Sequence, residues 1–188
     1  MITELTTDYY VRPLDENDLD GPYPAWFNDL GVCRYNSHAK FFKTRAFFAN
    51  YVNQLNTEDR VVWAICHSTD GHIGNVSLQD ICLINRTAEF AILIGDQRHW
   101  GKGIGLAAGK KIVHHAFFRL NIERIYCGTA SINEGMKRLA RAMGMTLEGT
   151  RRQHFYLEGS RVDLLEYGML RNEISLDAEG YVSLKGSA

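Results

Sequence analysis

The sequence predicts an α/β (α+β) protein: a mixed, mostly antiparallel central sheet of about six or seven strands flanked by about four helices. Three observations lead there. Short apolar runs of strand length, separated by turn residues, recur from Tyr9 to Leu170. Other stretches repeat apolar residues every three or four positions, as one-sided helices do. One almost wholly apolar run passes through a glycine-rich loop directly into such a helix.

Tyr9-Tyr10-Val11-Arg12-Pro13-Leu14 reads as the first short strand, closed by a proline that cannot donate to a ladder. Asp15 to Asp20 offers several helix caps. Gly21-Pro22-Tyr23-Pro24 then breaks the backbone before Trp26, Phe27 and Leu30 resume at helical spacing. From Thr44 to Leu55, Phe47, Phe48, Tyr51, Val52 and Leu55 mark a helix that should end near Asn56. Val61–Cys66 and His72–Leu78 form a two-strand meander around an Asp70-Gly71 turn. Thr87–Ile94 is apolar enough for a mid-sheet strand covered on both faces.

After the glycine loop, Leu106, Gly109, Ile112, Val113, Ala116, Phe117 and Leu120 form a helical stripe. The strand Ile122–Thr129 follows, and right-handed crossover logic makes it parallel to the one before the loop. Asn133 precedes a helix from Glu134 to Met143, stopped by Gly144. A last hairpin, Thr150–Leu157 and Arg161–Leu170, turns at Glu158-Gly159-Ser160. The expected organisation is a single domain over 1–171 and a polar tail over 172–188 that docks, swaps or frays.

At 188 residues and 45% hydrophobic, the chain is long enough for one full core. Its 21 basic against 22 acidic residues leave a net charge of -1, which offers no field to hold a nucleic-acid backbone. Neither a basic leader nor a long apolar span appears, so a cytoplasmic protein with no membrane partner is expected. Cys33, Cys66, Cys82 and Cys127 have no metal-site spacing; they read as buried thiols, and no metal is expected.

Gly101, Gly103 and Gly105 let the backbone take positive φ and approach a ligand closely. Between a strand and a helix N-terminus, they aim several N–H groups at one point, with the positive end of the helix dipole behind them. That suits phosphate or pyrophosphate, and Lys102 can add a charge. Neither a Walker loop nor G-x-G-x-x-G is present. Taken alone the pattern is as consistent with a plain turn.

The whole strand-loop-helix unit resembles the acetyl-CoA motif of the GNAT superfamily, R/Q-x-x-G-x-G/A, with Trp100 in the first position, Gly103 in the fourth and Gly105 in the sixth. Tryptophan there resembles the subgroup of ribosomal-protein N-terminal acetyltransferases and their small-molecule relatives. The resemblance runs from Tyr9 to Leu170 and includes Asn133, Gly144-Met145 and Arg161-Val162-Asp163 before Leu164–Gly168. It implies the GNAT fold, whose splayed central strand pair binds acetyl-CoA as cosubstrate. The contacts it implies are Leu93, Ile94, Arg98, Trp100, Gly101, Lys102, Gly103, Ile104, Gly105, Leu106 and, at the pantetheine arm, Asn133. Homodimers are common among such relatives.

Most amines are protonated at neutral pH, so a carboxylate acting through water could remove the proton. Glu89 is the only acid inside the apolar strand, and the resemblance implies a base there; an ion pair with a residue such as Arg124 is the competing reading. The family's tyrosine acid is replaced by Ala140, and a serine found in some relatives by Met136. His72, His114, His115, His154 and Tyr156 are reserves, the last two sharing a face. Arg34-Tyr35-Asn36-Ser37-His38, with Phe41 and Phe42, occupies the region where the family walls its acceptor site.

The expected reaction is acetyl transfer to a primary amine by direct attack in a ternary complex. The acceptor, a peptide or a small molecule, is left open between a protein N-terminus and a small amine such as a nucleotide-linked amino sugar. A non-catalytic acyl-CoA-binding module and a structural domain with a vestigial loop are the other readings.

Overall fold

The computed structural model describes residues 2–55, 57–176 and 182–184. Its frame is an eight-stranded sheet of β1 (Thr3–Glu4), β2 (Tyr9–Pro13), β3 (Val61–His67), β4 (Gly71–Cys82), β5 (Thr87–Ile94), β6 (Arg124–Ala130), β7 (Thr146–Leu157) and β8 (Ser160–Leu170). The spatial order is β1-β2-β3-β4-β5-β6-β8-β7. Four α-helices accompany it: α1 (Tyr23–Trp26), α2 (Arg45–Val52), α3 (Ile104–Phe118) and α4 (Glu134–Ala142). The strand beyond the expected count is β1, two residues that pair with Val11 and Tyr10 of β2 and are too short to carry an apolar pattern.

Alternation along the strands assigns each side chain to a face. On β3, Val62, Ala64 and Cys66 pack with Tyr23 and Trp26 of α1 and Phe48 and Val52 of α2. Ile65 faces the other way, into the core that Ala108, Ile112, Val113, Ala116 and Phe117 of α3 complete. Burying each of the large side chains in these two layers stabilises the fold by about 1.5–3 kcal/mol.

All neighbouring strands run antiparallel except β5 and β6. That parallel pair holds for three residues only, Thr87↔Arg124, Ala88↔Ile125 and Glu89↔Tyr126. Beyond Glu89 the two strands part, while β4 stays paired to β5 as far as Ile94. One edge of β5 is therefore open from Phe90 onward. For that reason β5 is not covered on both faces along its length: Ala88 and Phe90 are buried, but Ala91 to Ile94 are half-buried.

Other boundaries moved for local reasons. Thr44 caps α2, its hydroxyl accepting from the Phe47 amide at 3.3 Å, and the helix stops at Val52; Asn56 lies outside the described residues. Trp26, Phe27 and Leu30 do not form one helix, because α1 lasts four residues and Leu30 is exposed. α4 ends at Ala142, just before Gly144 at φ 87°. In the tail, β9 (Ile174–Leu176) pairs with β10 (Val182–Leu184), which lies beside α3. Positions 177–181 and 185–188 of that tail lie outside the described residues.

Candidate active site

Where β5 and β6 part, a cleft of about 1230 Å³ opens across the sheet. Its floor is set by alternation: Asn75, Ser77 and Gln79 of β4 lie opposite Leu93, Ala91 and Glu89 of β5, all on the face toward α1 and α2. One end is closed by the glycine loop and the start of α4, the other by aromatic side chains including Tyr23, Phe27 and Phe47.

The loop is built to present bare backbone. Gly101 and Gly103 sit at φ 75° and 78°, and a Cβ placed on either would meet nothing within 4 Å. Their requirement is thus conformational. Gly105 differs: it lies inside the first turn of α3 with no positive φ, and a Cβ there would touch Ile92 and Leu139 at ordinary distances. Among the described residues, the amides of positions 101 to 105 find no backbone acceptor. Five free N–H groups at the positive end of a 15-residue helix form an anion cradle.

Trp100 fixes this loop to the strand, its Nε1–H donating to the Ile94 carbonyl at 2.8 Å. His99, 3% exposed, anchors it from below. The His99 Nδ1 lies 2.8 Å from the Tyr9 hydroxyl and its Nε2 3.1 Å from Asp70. Sequence reasoning passed over His99; its position one residue before the loop was the available signal. His67, Asp70 and His99 bring possible ligand atoms within 4.8 Å of one another. They already bond among themselves and to Tyr9, as a structural network does.

Of the cosubstrate contacts expected from sequence, Leu93, Ile94, Trp100, Gly101, Gly103, Ile104, Gly105, Leu106 and Asn133 line the cleft. Arg98 and Lys102 do not; the Arg98 guanidinium is turned onto Asp96 at 2.6 Å. Asn133 caps α4, its Oδ1 accepting from the Met136 amide at 3.1 Å, which leaves the Nδ2 for another partner.

Glu89 lies on the cleft floor and is the last residue of β5 paired to β6. Burial, and then the charge of Asp80, push its carboxyl above the usual range. Among the described residues no cation bridges to it. Arg124, the suspected partner, binds Glu148 instead (Nη1 to Oε1 2.7 Å).

The reserve groups are elsewhere. His72 is packed between Tyr23 and Trp26, with its Nδ1 2.9 Å from Asp18 and its Nε2 donating to the Gly74 carbonyl. His114 lies tilted against Phe118 and His115 edge-on against Trp63, outside the cleft. His154 and Tyr156 are both exposed. A register shift between Arg151 and Phe155 in β7 gives the cleft Phe155 instead. From the acceptor segment, Arg34, Tyr35, Asn36 and His38 line the cleft, whereas Phe41 and Phe42 are 80% and 82% exposed and take no part.

Asn75, Ser77 and Gln79 were missed, although three polar residues at alternate positions in an apolar strand are a legible sign of a wet face. Gln79 donates to the Ser77 hydroxyl at 3.1 Å. Asn75 is 6% exposed, and neither atom of its amide has a partner among the described residues.

A strand parts here from its parallel neighbour beside free amides at a helix N-terminus, with a lone raised carboxylate on the floor, an arrangement that can hold an anion next to an open strand edge. The chain matches the profile of the acetyltransferase (GNAT) domain over residues 9–146 and belongs to that family. It is an acetyl-CoA-dependent acetyltransferase acting on an amine. It is 33% identical over 105 residues to a putative ribosomal N-acetyltransferase, YdaF, of Bacillus subtilis, covering 55% of this chain and 57% of that one. It is 27% identical over 153 residues to the spermidine N(1)-acetyltransferase of Escherichia coli, covering 79% and 78%. The fold is shared with the Vibrio cholerae spermidine N-acetyltransferase solved with CoA and spermine (TM-score 0.80, 22% identity, 89% and 98% covered). It is also shared with the ribosomal L7/L12 acetyltransferase RimL solved with CoA (TM-score 0.79, 19% identity, 90% and 98% covered). Among the described residues no helix is long and apolar enough to cross a membrane.

Proposed function

We propose that this chain transfers the acetyl group of acetyl-CoA to a primary amine by direct attack within a ternary complex, with Glu89 as the base. The observation that carries this reading is the parting of β5 from β6 immediately after Glu89, which sets an open strand edge between the carboxylate and the free amides of 101 to 105.

Acetyl-CoA supplies the activated thioester carbonyl. The amides of positions 101 to 105 hold its pyrophosphate, and Asn133 Nδ2 is free to donate to the pantetheine arm. The open edge of β5 offers backbone N–H and C=O groups, as a further strand would find, and an amide there can stabilise negative charge developing on the carbonyl oxygen. Glu89 takes a proton of the incoming ammonium, directly or through one water; the free amine then attacks the thioester carbonyl, the C–S bond breaks, and the departing thiolate takes up the second proton shed by the new amide nitrogen. The raised affinity of Glu89 for protons brings it closer to the working pH than an ordinary carboxylate, which is where a base is most effective. The unit that does this is proposed to be residues 1–171, with 172–188 as an appendage.

A peptide or small-molecule acceptor enters from the side of Tyr35 and Asn36, across the ladder of Asn75, Ser77 and Gln79. The test is thiol release from acetyl-CoA in the presence of N-terminal peptides, polyamines and amino sugars, with the acetylated product identified by mass. Transfer to at least one amine is expected. Tight acetyl-CoA binding with no transfer to any amine would instead identify an acyl-CoA-binding module.

A further inference from the structure

The acceptor half of the cleft carries an unexpected charge balance. The cleft is lined by three cations, Arg34, Lys43 and Arg138, and by two carboxylates, Glu89 and Glu134. Glu134 is bound to Lys137 at 2.5 Å on α4, at the cosubstrate end. Arg34 is balanced by Glu158 at 3.3 Å. Neither Arg138 nor Lys43 has a carboxylate bridging to it among the described residues, but Arg138 stands on α4 and acts on Glu134 at the cosubstrate end, whereas Lys43 stands at the aromatic end. Its ammonium lies 5.6 Å from the Phe27 ring centre and 5.4 Å from that of Phe47, with His38 Nδ1 at 3.3 Å. Partial burial lowers its proton affinity, opposed only by the Cys33 thiol and by no carboxylate.

Asn75 supplies a second, independent sign. A buried side-chain amide with neither donor nor acceptor used destabilises the fold unless something answers it. It stands on the cleft floor opposite Leu93, where an acceptor's polar groups would pass.

We propose that the acceptor is an amine that also carries an anionic group, a phosphate or a carboxylate, which Lys43 binds while Asn75 hydrogen-bonds the segment between anion and amine. This rests on the acetyltransferase reading above and narrows it. A polyamine fits poorly: once one amine reaches Glu89, the remaining ammonium groups meet Lys43 with no free carboxylate to neutralise them, and like charges in a partly desolvated cleft repel. The chain would then differ in acceptor class from the spermidine acetyltransferases it resembles.

The experiment is a steady-state comparison, at saturating acetyl-CoA, of amines matched but for the anion. Glucosamine is set against its phosphate ester, β-alanine against its amide, and spermidine is measured beside them. At least one anionic member should exceed its neutral partner about tenfold in kcat/KM, mainly through KM, and should exceed spermidine as well; a tenfold preference corresponds to one partly exposed charge contact. Which pair shows the preference tells phosphate from carboxylate recognition. Lys43→Met should raise the KM of the favoured anion about tenfold and close the gap to its neutral partner, while Lys43→Arg keeps it open. Spermidine turning over better than every anionic amine, or a preference that survives Lys43→Met in a folded variant, overturns the proposal. Transfer without any anion preference overturns it alone, whereas failure to acetylate any amine also removes the reading on which it rests.

Discussion

Glu89 occupies a position that resists its ionisation, since burial and Asp80 both favour the protonated form. The linkage has a definite sign. A carboxyl whose folded-state affinity for protons is raised makes the fold less stable as pH rises from its ordinary value through the raised one. Glu89→Gln removes that cost. At pH near 7 the variant should therefore melt no lower than the parent, and the two should converge below about pH 4, where both side chains are neutral. A large fall in melting temperature at neutral pH would reveal a structural partner for the carboxylate. At Gly103 the demand is on the backbone: a β-branched residue at φ 78° costs about 1–2 kcal/mol, and its side chain would stand in the cradle. Gly103→Val should fold yet lose the stabilisation that acetyl-CoA gives in thermal unfolding, with affinity down on the order of 10–100-fold, the worth of one lost charge-assisted hydrogen bond. An unchanged thermal shift would take the pyrophosphate away from this loop.

Between elements, Asp18 makes a buried tie outside the cleft. Its carboxylate is buried in the turn Glu16–Asp20, accepts from Arg12 of β2 at 2.6 and 2.8 Å and lies 2.9 Å from His72 of β4. Burial alone would raise its proton affinity, but the hydrogen bonds from Arg12 and His72 win and hold it well below the usual range. Because the folded value is depressed, its contribution is present above the unfolded value near pH 4 and is lost as pH falls toward the folded one. Asp18→Asn leaves Arg12 and His72 without their anion and should cost about 3 kcal/mol at neutral pH. In a chain of this size that is a fall in melting temperature on the order of 10 °C, with less dependence on acid below pH 4 than the parent shows. The tie holds the turn Glu16–Asp20 and β4 against β2, and through His72, which packs on Tyr23 and Trp26 of α1, it supports the aromatic end of the cleft; a variant as stable as the parent would show that this support comes from packing alone.

Across the whole molecule, what was legible in the sequence was what depends on local pattern. Thr87–Ile94, the glycine loop and the stripe of Leu106 to Phe117 gave strand, glycine turn and helix in the right order, because each is written in contiguous residues. The parallel pairing of β5 with β6 followed from chain handedness. Contributions that cross the fold were not legible. His99 is defined by Tyr9 and Asp70, which are distant in sequence, and Phe155 reaches the cleft only through a bulge that no composition announces. The Glu148 that claims Arg124 comes from β7, on the far side of β8, so the choice of salt bridge required the sheet order.

The measurement that bears most directly on Glu89 as the base is the pH dependence of acetyl transfer by the parent and by Glu89→Gln, with acetyl-CoA affinity determined in parallel. With the base removed and the cradle intact, affinity should persist while kcat at neutral pH falls by about 10²–10⁴, the contribution of a positioned base. The gap should narrow as pH rises and more of the acceptor arrives as free amine. A folded Glu89→Gln enzyme that turns over like the parent across that range would contradict the assignment and remove proton transfer from this carboxylate.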